Sequence, residues 1–211
     1  MATTIAIIGA GHVGAALAQT LSRAGYAVRL GVRPGADVAA LLQRCGGKAT
    51  AGTVREAAAA AEVIFLCVPA QVAVAVARDA GDLRRKVLVD CSNPVAWQDG
   101  PVLAPPPEGS VAAALAAAVP EARVVKGFNT FGADVHRDPG IGGAPAEVYL
   151  AGDDGIALER VGEVASRAGF APVAVGPLRN AAHLEALALL WIQLATAGGQ
   201  GRQFIFRLAR R

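Results

Sequence analysis

Aromatic side chains are scarce in this chain, at 5% of 211 residues, and charged residues reach only 18%. With a formal net charge of +3 and no basic stripe interleaved with aromatics, the usual means of gripping nucleic acid are missing. Cysteine is rare too. Cys45, Cys67 and Cys91 fit no metal-ligand spacing, and the last two come late in apolar strand runs, where buried, reduced thiols are expected. That usage suits a cytosolic compartment. Outside the alanine-rich helices, no apolar stretch of about 18 residues escapes polar interruption, which argues against a membrane span. Met1-Ala-Thr-Thr runs straight into the first apolar segment and leaves no room for a signal peptide. No Ser-His-Asp order, carboxylate pair or metal cluster stands out, so no catalytic residue and no metal ligand is assigned.

What is present in quantity is alanine and glycine, and their placement is informative from Thr4 to Arg33. A β-branched run, Ile5-Ala-Ile-Ile8, leads into Gly9-Ala-Gly11-His-Val-Gly14, then an Ala/Leu helix stopped by Gly25, then a second strand from Tyr26 to Arg33. Strand, glycine turn, helix and strand in this order form the unit that binds a dinucleotide. Gly9 permits the tight turn, Gly11 lets the backbone approach a pyrophosphate, and Gly14 lets the helix pack on the sheet. Free N–H groups at the helix start, with the positive end of its dipole, make the anion site.

The end of the second strand selects the dinucleotide. An NAD site places Asp or Glu about 20 residues beyond the glycine loop to bind the ribose hydroxyls. Here Arg33 stands 19 positions after Gly14, and no carboxylate occurs between Tyr26 and Ala36. A guanidinium pairs with a 2′-phosphate through two hydrogen bonds, where a carboxylate would repel it. NADP(H) is therefore the expected cofactor.

The rest of the chain alternates strands and helices, predicting an α/β fold: a Rossmann-type, doubly wound, mainly parallel sheet with a small C-terminal helical part. Residues 1–176 are expected to form the dinucleotide-binding domain and 177–211 a C-terminal helix and tail. Strands are predicted at 48–51, 62–68, 86–90, 122–126, 147–151 and 171–175, with helices at 37–45, 53–61, 72–80, 110–119 and 155–168. Glu62-Val-Ile-Phe-Leu-Cys-Val68 has no alternation at all, as a strand covered on both faces requires. Residues 100–109, rich in proline, read as a loop and a candidate lid or connector, and 134–145 as a polar, glycine-rich stretch. Asn180 to Ala197 is a long apolar helix with more hydrophobic surface than a terminal helix can bury alone, so a homodimer through it is expected. Four arginines (Arg202, Arg207, Arg210 and Arg211) crowd the C-terminus.

Together, Arg33, Val68-Pro69, Asp90-Cys-Ser-Asn-Pro94, Lys126-Gly-Phe-Asn-Thr130 and Gly176-Pro-Leu-Arg-Asn180 give the chain a resemblance to the F420-dependent NADP oxidoreductases. It is similar also to the NADPH-oxidising domain of the STEAP metalloreductases. The resemblance runs from Ile5 to the last helix. It implies hydride transfer between NADP(H) and a flavin or deazaflavin, with F420, FMN or FAD as acceptor. It implies also that Ala10, Gly11, His12 and Val13 hold the pyrophosphate and Arg33 the 2′-phosphate, and that Val68, Pro69, Asn93 and Ala133 line the nicotinamide.

Hydride transfer between two rings needs no acid or base when the acceptor carries its own electron sink, which matches the poverty of catalytic candidates. His12 lies in the phosphate loop, His136 in a polar loop, and His183 starts the apolar helix as a packed or capping residue. Asn93 and Asn129 are placed to hydrogen-bond a carboxamide or a flavin edge, or to serve as turn residues. Two other readings stand beside the reductase: an NADP-dependent dehydrogenase or imine reductase of a small metabolite, and a non-catalytic NADP(H) sensor.

Overall fold

The computed structural model describes residues 4–209 and 211; Met1 to Thr3 and Arg210, to which the leader and basic-tail readings in part refer, lie outside the described residues. The chain forms, in order, β1 (Thr4–Ile8), α1 (His12–Arg23), β2 (Ala27–Gly31), α2 (Ala39–Arg44), β3 (Ala49–Gly52), α3 (Val54–Ala59), β4 (Val63–Leu66), α4 (Ala70–Asp79) and β5 (Val87–Asp90). A hairpin of β6 (Val95–Trp97) and β7 (Pro101–Leu103) follows, then α5 (Val111–Ala118), β8 (Arg123–Lys126) and α6 (Ala133–Arg137). A second hairpin, β9 (Gly140–Ile141) and β10 (Ala144–Pro145), leads to β11 (Glu147–Gly152), α7 (Gly155–Arg167), β12 (Ala171–Ala174), a 3-10 turn at Leu178–Asn180 and α8 (Ala181–Ala195).

Eight strands make the main sheet, in the order β12-β11-β8-β5-β4-β1-β2-β3. From β3 to β8 all neighbours are parallel, so the carboxyl ends of β1, β4, β5 and β8 come out on one edge. The direction of winding reverses between β1 and β4, which opens a crevice there. Both faces are covered. One core layer packs Ile5, Ile7, Phe65 and Val89 against Leu17 and Leu21 of α1 and Val161 and Val164 of α7. The other packs Ile8, Ile64, Leu66 and Leu88 against alanines of α3 and α4 and Leu115 of α5. Burial on both sides explains the unbroken apolar strands, and the small alanines let helices sit close to the sheet.

Local signals set the boundaries. Thr53 and Glu56 form a reciprocal capping box on α3, Ser110 Oγ accepts from Ala113 N–H, and Asp154 Oδ1 accepts from Ala157 N–H.

Several expectations are corrected. Residues 101–103, read as loop, are a strand: β7 pairs antiparallel with β6, because Pro101 occupies a two-stranded ribbon that asks no ladder bond of its missing N–H. The polar, glycine-rich stretch 134–145, for which no element is predicted, holds most of α6 and the β9–β10 hairpin. Helix α4 begins two residues earlier than predicted, directly at Pro69 as its cap. The main sheet is otherwise as expected, mainly parallel, with one antiparallel neighbour pair: β11 runs antiparallel to β8 (Ala151↔Lys126) and parallel to β12.

The tail after α8 folds back as an ordered strap. Trp191 Nε1 donates to Phe204 O at 2.8 Å, with the two rings stacked at 5.3 Å, and Leu208 N–H donates to Glu147 Oε2 at 2.9 Å. The chain thus covers part of its own apolar terminal helix. Leu190 stays about half exposed, at 49%. Among the described residues no helix is long and apolar enough to cross a membrane.

Candidate active site

The glycine turn sits at the crevice between β1 and β4. Gly9 has φ +99°, and a Cβ there would lie 2.5 Å from the carbonyl oxygen of Cys67. At Gly14 an added Cβ would meet Gly9 O at 2.0 Å. These two glycines are demanded by the protein's own backbone. Gly11 is different: an added Cβ meets nothing within 4 Å, so nothing in the fold requires glycine there. Its side-chain position opens above the first turn of α1, a helix with no acidic residue in that turn and no side chain capping it. The free N–H groups and the opening at Gly11 together fit a pyrophosphate. Ala10, His12 and Val13 flank the turn; His12 is exposed and Val13 half-buried.

Arg33 follows β2 on the same edge of the sheet. It is exposed, and among the described residues its guanidinium has neither an ion pair nor a hydrogen-bond acceptor. Val68 and Pro69 leave β4 beside the turn, the Val68 side chain lying 3.0 Å from where a Gly9 Cβ would stand.

Asn93 and Asn129, from the turns after β5 and β8, meet. Asn93 Nδ2 donates to Asn129 O at 2.8 Å, and Asn129 Nδ2 donates to Asn93 Oδ1 at 2.9 Å and to Leu184 O at 3.1 Å. Asn129 Oδ1 is buried and has no partner among the described residues. The residue before it, Phe128, holds φ +57°, a left-handed conformation that a bulky side chain rarely adopts. Ala133 opens α6 just beyond, half-buried, with Trp191 of α8 packed against the preceding Gly132. The structure thus brings Gly9–Gly14 together with Val68 and Pro69, and Asn93 together with Asn129, all on the carboxyl edge, with Arg33 at its outer end.

Beneath the asparagines lies a charge cluster that inspection of the sequence missed. Lys126 Nζ, fully buried, donates to Asp90 Oδ2 at 2.8 Å, Glu185 Oε1 at 2.8 Å and Ser92 O at 2.6 Å. Asp90 Oδ1 accepts from the N–H and hydroxyl of Ser92, and Glu185 Oε1 also accepts from Val111 N–H at the start of α5. Burial pushes the Glu185 carboxyl upward, against the pull of Lys126 and the Val111 N–H. All three ammonium hydrogens are used, so Lys126 is a strut and not a free proton donor. Part of the signal was available: Asp90 ends an otherwise apolar strand, and Glu185 is the only acidic residue of α8.

The histidines also differ from expectation. His136 is no loop residue but fully buried in α6, its ring nitrogens 3.0 Å from Gly132 O and 2.9 Å from Phe128 O. Burial lowers it to about 4, although both carbonyls favour the charged ring. His183 is exposed on α8 rather than packed. No group of three or more His, Cys, Asp or Glu among the described residues is arranged to hold a metal.

A crystal structure from Arthrobacter sp. FB24, a candidate F420-dependent NADP-reductase, matches this geometry with a TM-score of 0.87 and 30% identity, covering 98% of this chain and 99% of that one. Metalloreductase STEAP3 of Rattus norvegicus is 31% identical over 189 residues, 89% of this chain; the chain spans only 37% of that protein's length. A reductive aminase from Aspergillus terreus, in complex with NADPH and ethyl levulinate, shares the fold at a TM-score of 0.69 and 22% identity, with 94% of this chain and 64% of that one covered. Residues 4–94, from β1 through the turn that carries Asn93, match the family described as NADP oxidoreductase, coenzyme F420-dependent. With near-complete coverage of the Arthrobacter protein, this establishes that the chain belongs to the F420-dependent NADP oxidoreductase family.

Proposed function

We propose that this protein binds NADP(H) along the carboxyl edge of the sheet and catalyses hydride transfer between it and a flavin or deazaflavin ring of the F420 type. When bound, the cofactor supplies the hydride from its nicotinamide. The chain's own residues do the rest. N–H groups around Gly11, His12 and Val13 bind the pyrophosphate, and Arg33 pairs with the 2′-phosphate. Val68 and Pro69 make an apolar wall that excludes water, and Asn93, Asn129 and Ala133 orient the nicotinamide, with Asn129 Oδ1 supplying an acceptor for an amide N–H.

The observation that carries this reading is the neutrality of the Asn93–Asn129 floor. The charged groups below it, Asp90, Lys126 and Glu185, are buried and satisfied by one another. Among the described residues this floor offers no acid or base to an acceptor, which supports an acceptor that manages its own charge. The test is NADPH oxidation, followed by nicotinamide absorbance, with F420, FMN, FAD and a ferric chelate offered separately. Turnover with one of the ring acceptors and little with NADH is expected. Tight NADPH binding with no turnover on any acceptor, small carbonyls and imines included, would leave a sensor as the function.

A second reading, reduction of a small carbonyl or imine, is favoured by one feature. A cavity of about 220 Å³ opens between α4, α5 and the β6–β7 hairpin, lined by Ala70, Val74, Pro94, Pro106 and Val111 with Gln71 as its polar side chain. It is largely apolar, with the Gln71 amide to orient a polar group, and suits a small neutral substrate. In either case the cytosol is the expected setting, and a second copy of the chain covers the apolar groove of about 450 Å³ formed by α8 and the strap around Leu187, Leu190 and Leu208. Sedimentation should then report a dimer.

A further inference from the structure

Strands β4 and β5 run parallel and in register, with Phe65 opposite Val89 and Leu66 opposite Asp90. One step further the same register sets Cys67 opposite Cys91. The strands stay ordered there: Cys67 N–H donates to Ile8 O at 2.8 Å and Cys91 N–H to Leu66 O at 3.2 Å. With a side-chain period of two, both thiols lie on the face of Phe65 and Val89, beneath α1. Neighbouring strands stand about 4.8 Å apart, inside the Cα separation that a disulfide spans. Both cysteines are free thiols, Cys91 buried and Cys67 half-buried.

Cys67 is also the floor of the glycine turn. Its carbonyl oxygen is what a Cβ at Gly9 would strike, and its own Cβ lies 3.2 Å from where a Gly14 Cβ would stand. Any movement of Cys67 toward β5 is felt by the turn above.

We propose that Cys67 and Cys91 form a reversible intramolecular disulfide under peroxide, and that this bond weakens cofactor binding at the turn. Cys67, the more accessible thiol, attacks hydrogen peroxide as its thiolate. An S–O bond forms, the O–O bond breaks, and the departing oxygen leaves as water, giving the Cys67 sulfenic acid. The Cys91 sulfur then attacks the Cys67 sulfur. The S–S bond forms, the S–O bond breaks, and the Cys91 proton leaves with the hydroxyl as a second water. Two thiols lose two electrons and one peroxide becomes two waters. Burial and the neighbouring Cys67 thiol hold the Cys91 thiol well above its ordinary range, so Cys91 is the resolving thiol and the second step the slower one. The effect on the cofactor rests on the function proposed above; the disulfide itself does not.

The full-length protein is treated with one equivalent of hydrogen peroxide, blocked with maleimide under denaturing conditions and mapped by mass spectrometry, alongside Cys91→Ser and Cys45→Ser. Wild type and Cys45→Ser should give a Cys67–Cys91 linked peptide that dithiothreitol reverses. Cys91→Ser should stop at a Cys67 sulfenic acid, trapped by dimedone. A wild-type protein with both thiols still blocked by maleimide, or with Cys67 carried to sulfinic acid and no link, would overturn the proposal. NADPH titration of the same samples should show affinity about tenfold weaker after oxidation, restored by dithiothreitol. A disulfide with unchanged affinity would sever the link to the turn. No NADPH binding even when reduced would instead count against the proposed function, with the peptide map still deciding the disulfide.

Discussion

Glu185 on the last helix and Lys126 at the end of β8 are paired at 2.8 Å with essentially no exposure of either side chain. The pair ties the C-terminal helix to the strand end that carries Asn129. Removing the cation leaves two buried carboxylates facing each other, so Lys126→Met should cost about 3–5 kcal/mol in urea unfolding. Glu185→Gln retains an acceptor for Lys126 and Val111 and should cost about 1 kcal/mol. Equal losses for the two would mean the cluster is not a charged strut.

Gly11 and Gly14 should behave in opposite ways. Gly14→Ala forces a methyl to 2.0 Å from Gly9 O and should destabilise the fold by about 3 kcal/mol. Gly11→Ala meets nothing within 4 Å and should leave thermal unfolding unchanged while NADPH affinity falls about tenfold or more. Calorimetry and NADPH titration on both variants separate the two roles.

Arg33 is exposed and unpaired among the described residues, so Arg33→Ala has no fold-stabilising contact to lose. NADPH binding should weaken about 10- to 100-fold and NADH binding hardly at all. Parallel losses for both cofactors would remove Arg33 from the 2′-phosphate.

His136 gives the fold a pH dependence of known sign. Its folded value is lowered from 6.5 to about 4, so the unfolded chain binds the extra proton first. Stability from the neutral buried ring is full above 6.5 and drains away as pH falls toward 4, by roughly 2–3 kcal/mol. His136→Gln should flatten that part of the curve of unfolding free energy against pH. If wild type and variant fall in parallel, His136 is not the group responsible.

Much of the architecture was legible because it rests on local rules. The unbroken Val63–Leu66 run, the cap residues Thr53, Ser110 and Asp154, and the spacing of Gly9, Gly11 and Gly14 each act within a few residues. All eight sheet strands were foreseen for that reason. What escaped was decided at long range. Pro101 reads as a breaker until a partner strand at Val95–Trp97 accepts it. His136 looks solvated in the polar sequence Asp134 to Asp138, yet α6 turns it inward between two carbonyls. Asp90, Lys126 and Glu185 each look out of place alone; only folding brings their charges together. At the candidate site, Asn93 and Asn129 could be named as residues, but not that they bind each other.

The reach of Glu185 also constrains the order in which the molecule can be made. It lies 59 residues downstream of Lys126, so β8 leaves the ribosome well before its second counter-ion exists. At about 5–20 residues per second, the strand waits several seconds with its ammonium answered only by Asp90 and Ser92 O. The sheet can therefore assemble early, but its carboxyl edge closes only when the last helix arrives. A nascent or truncated chain that ends before α8 leaves Lys126 with its charge met by Asp90 but one ammonium hydrogen without its acceptor, and Val111 N–H without Glu185.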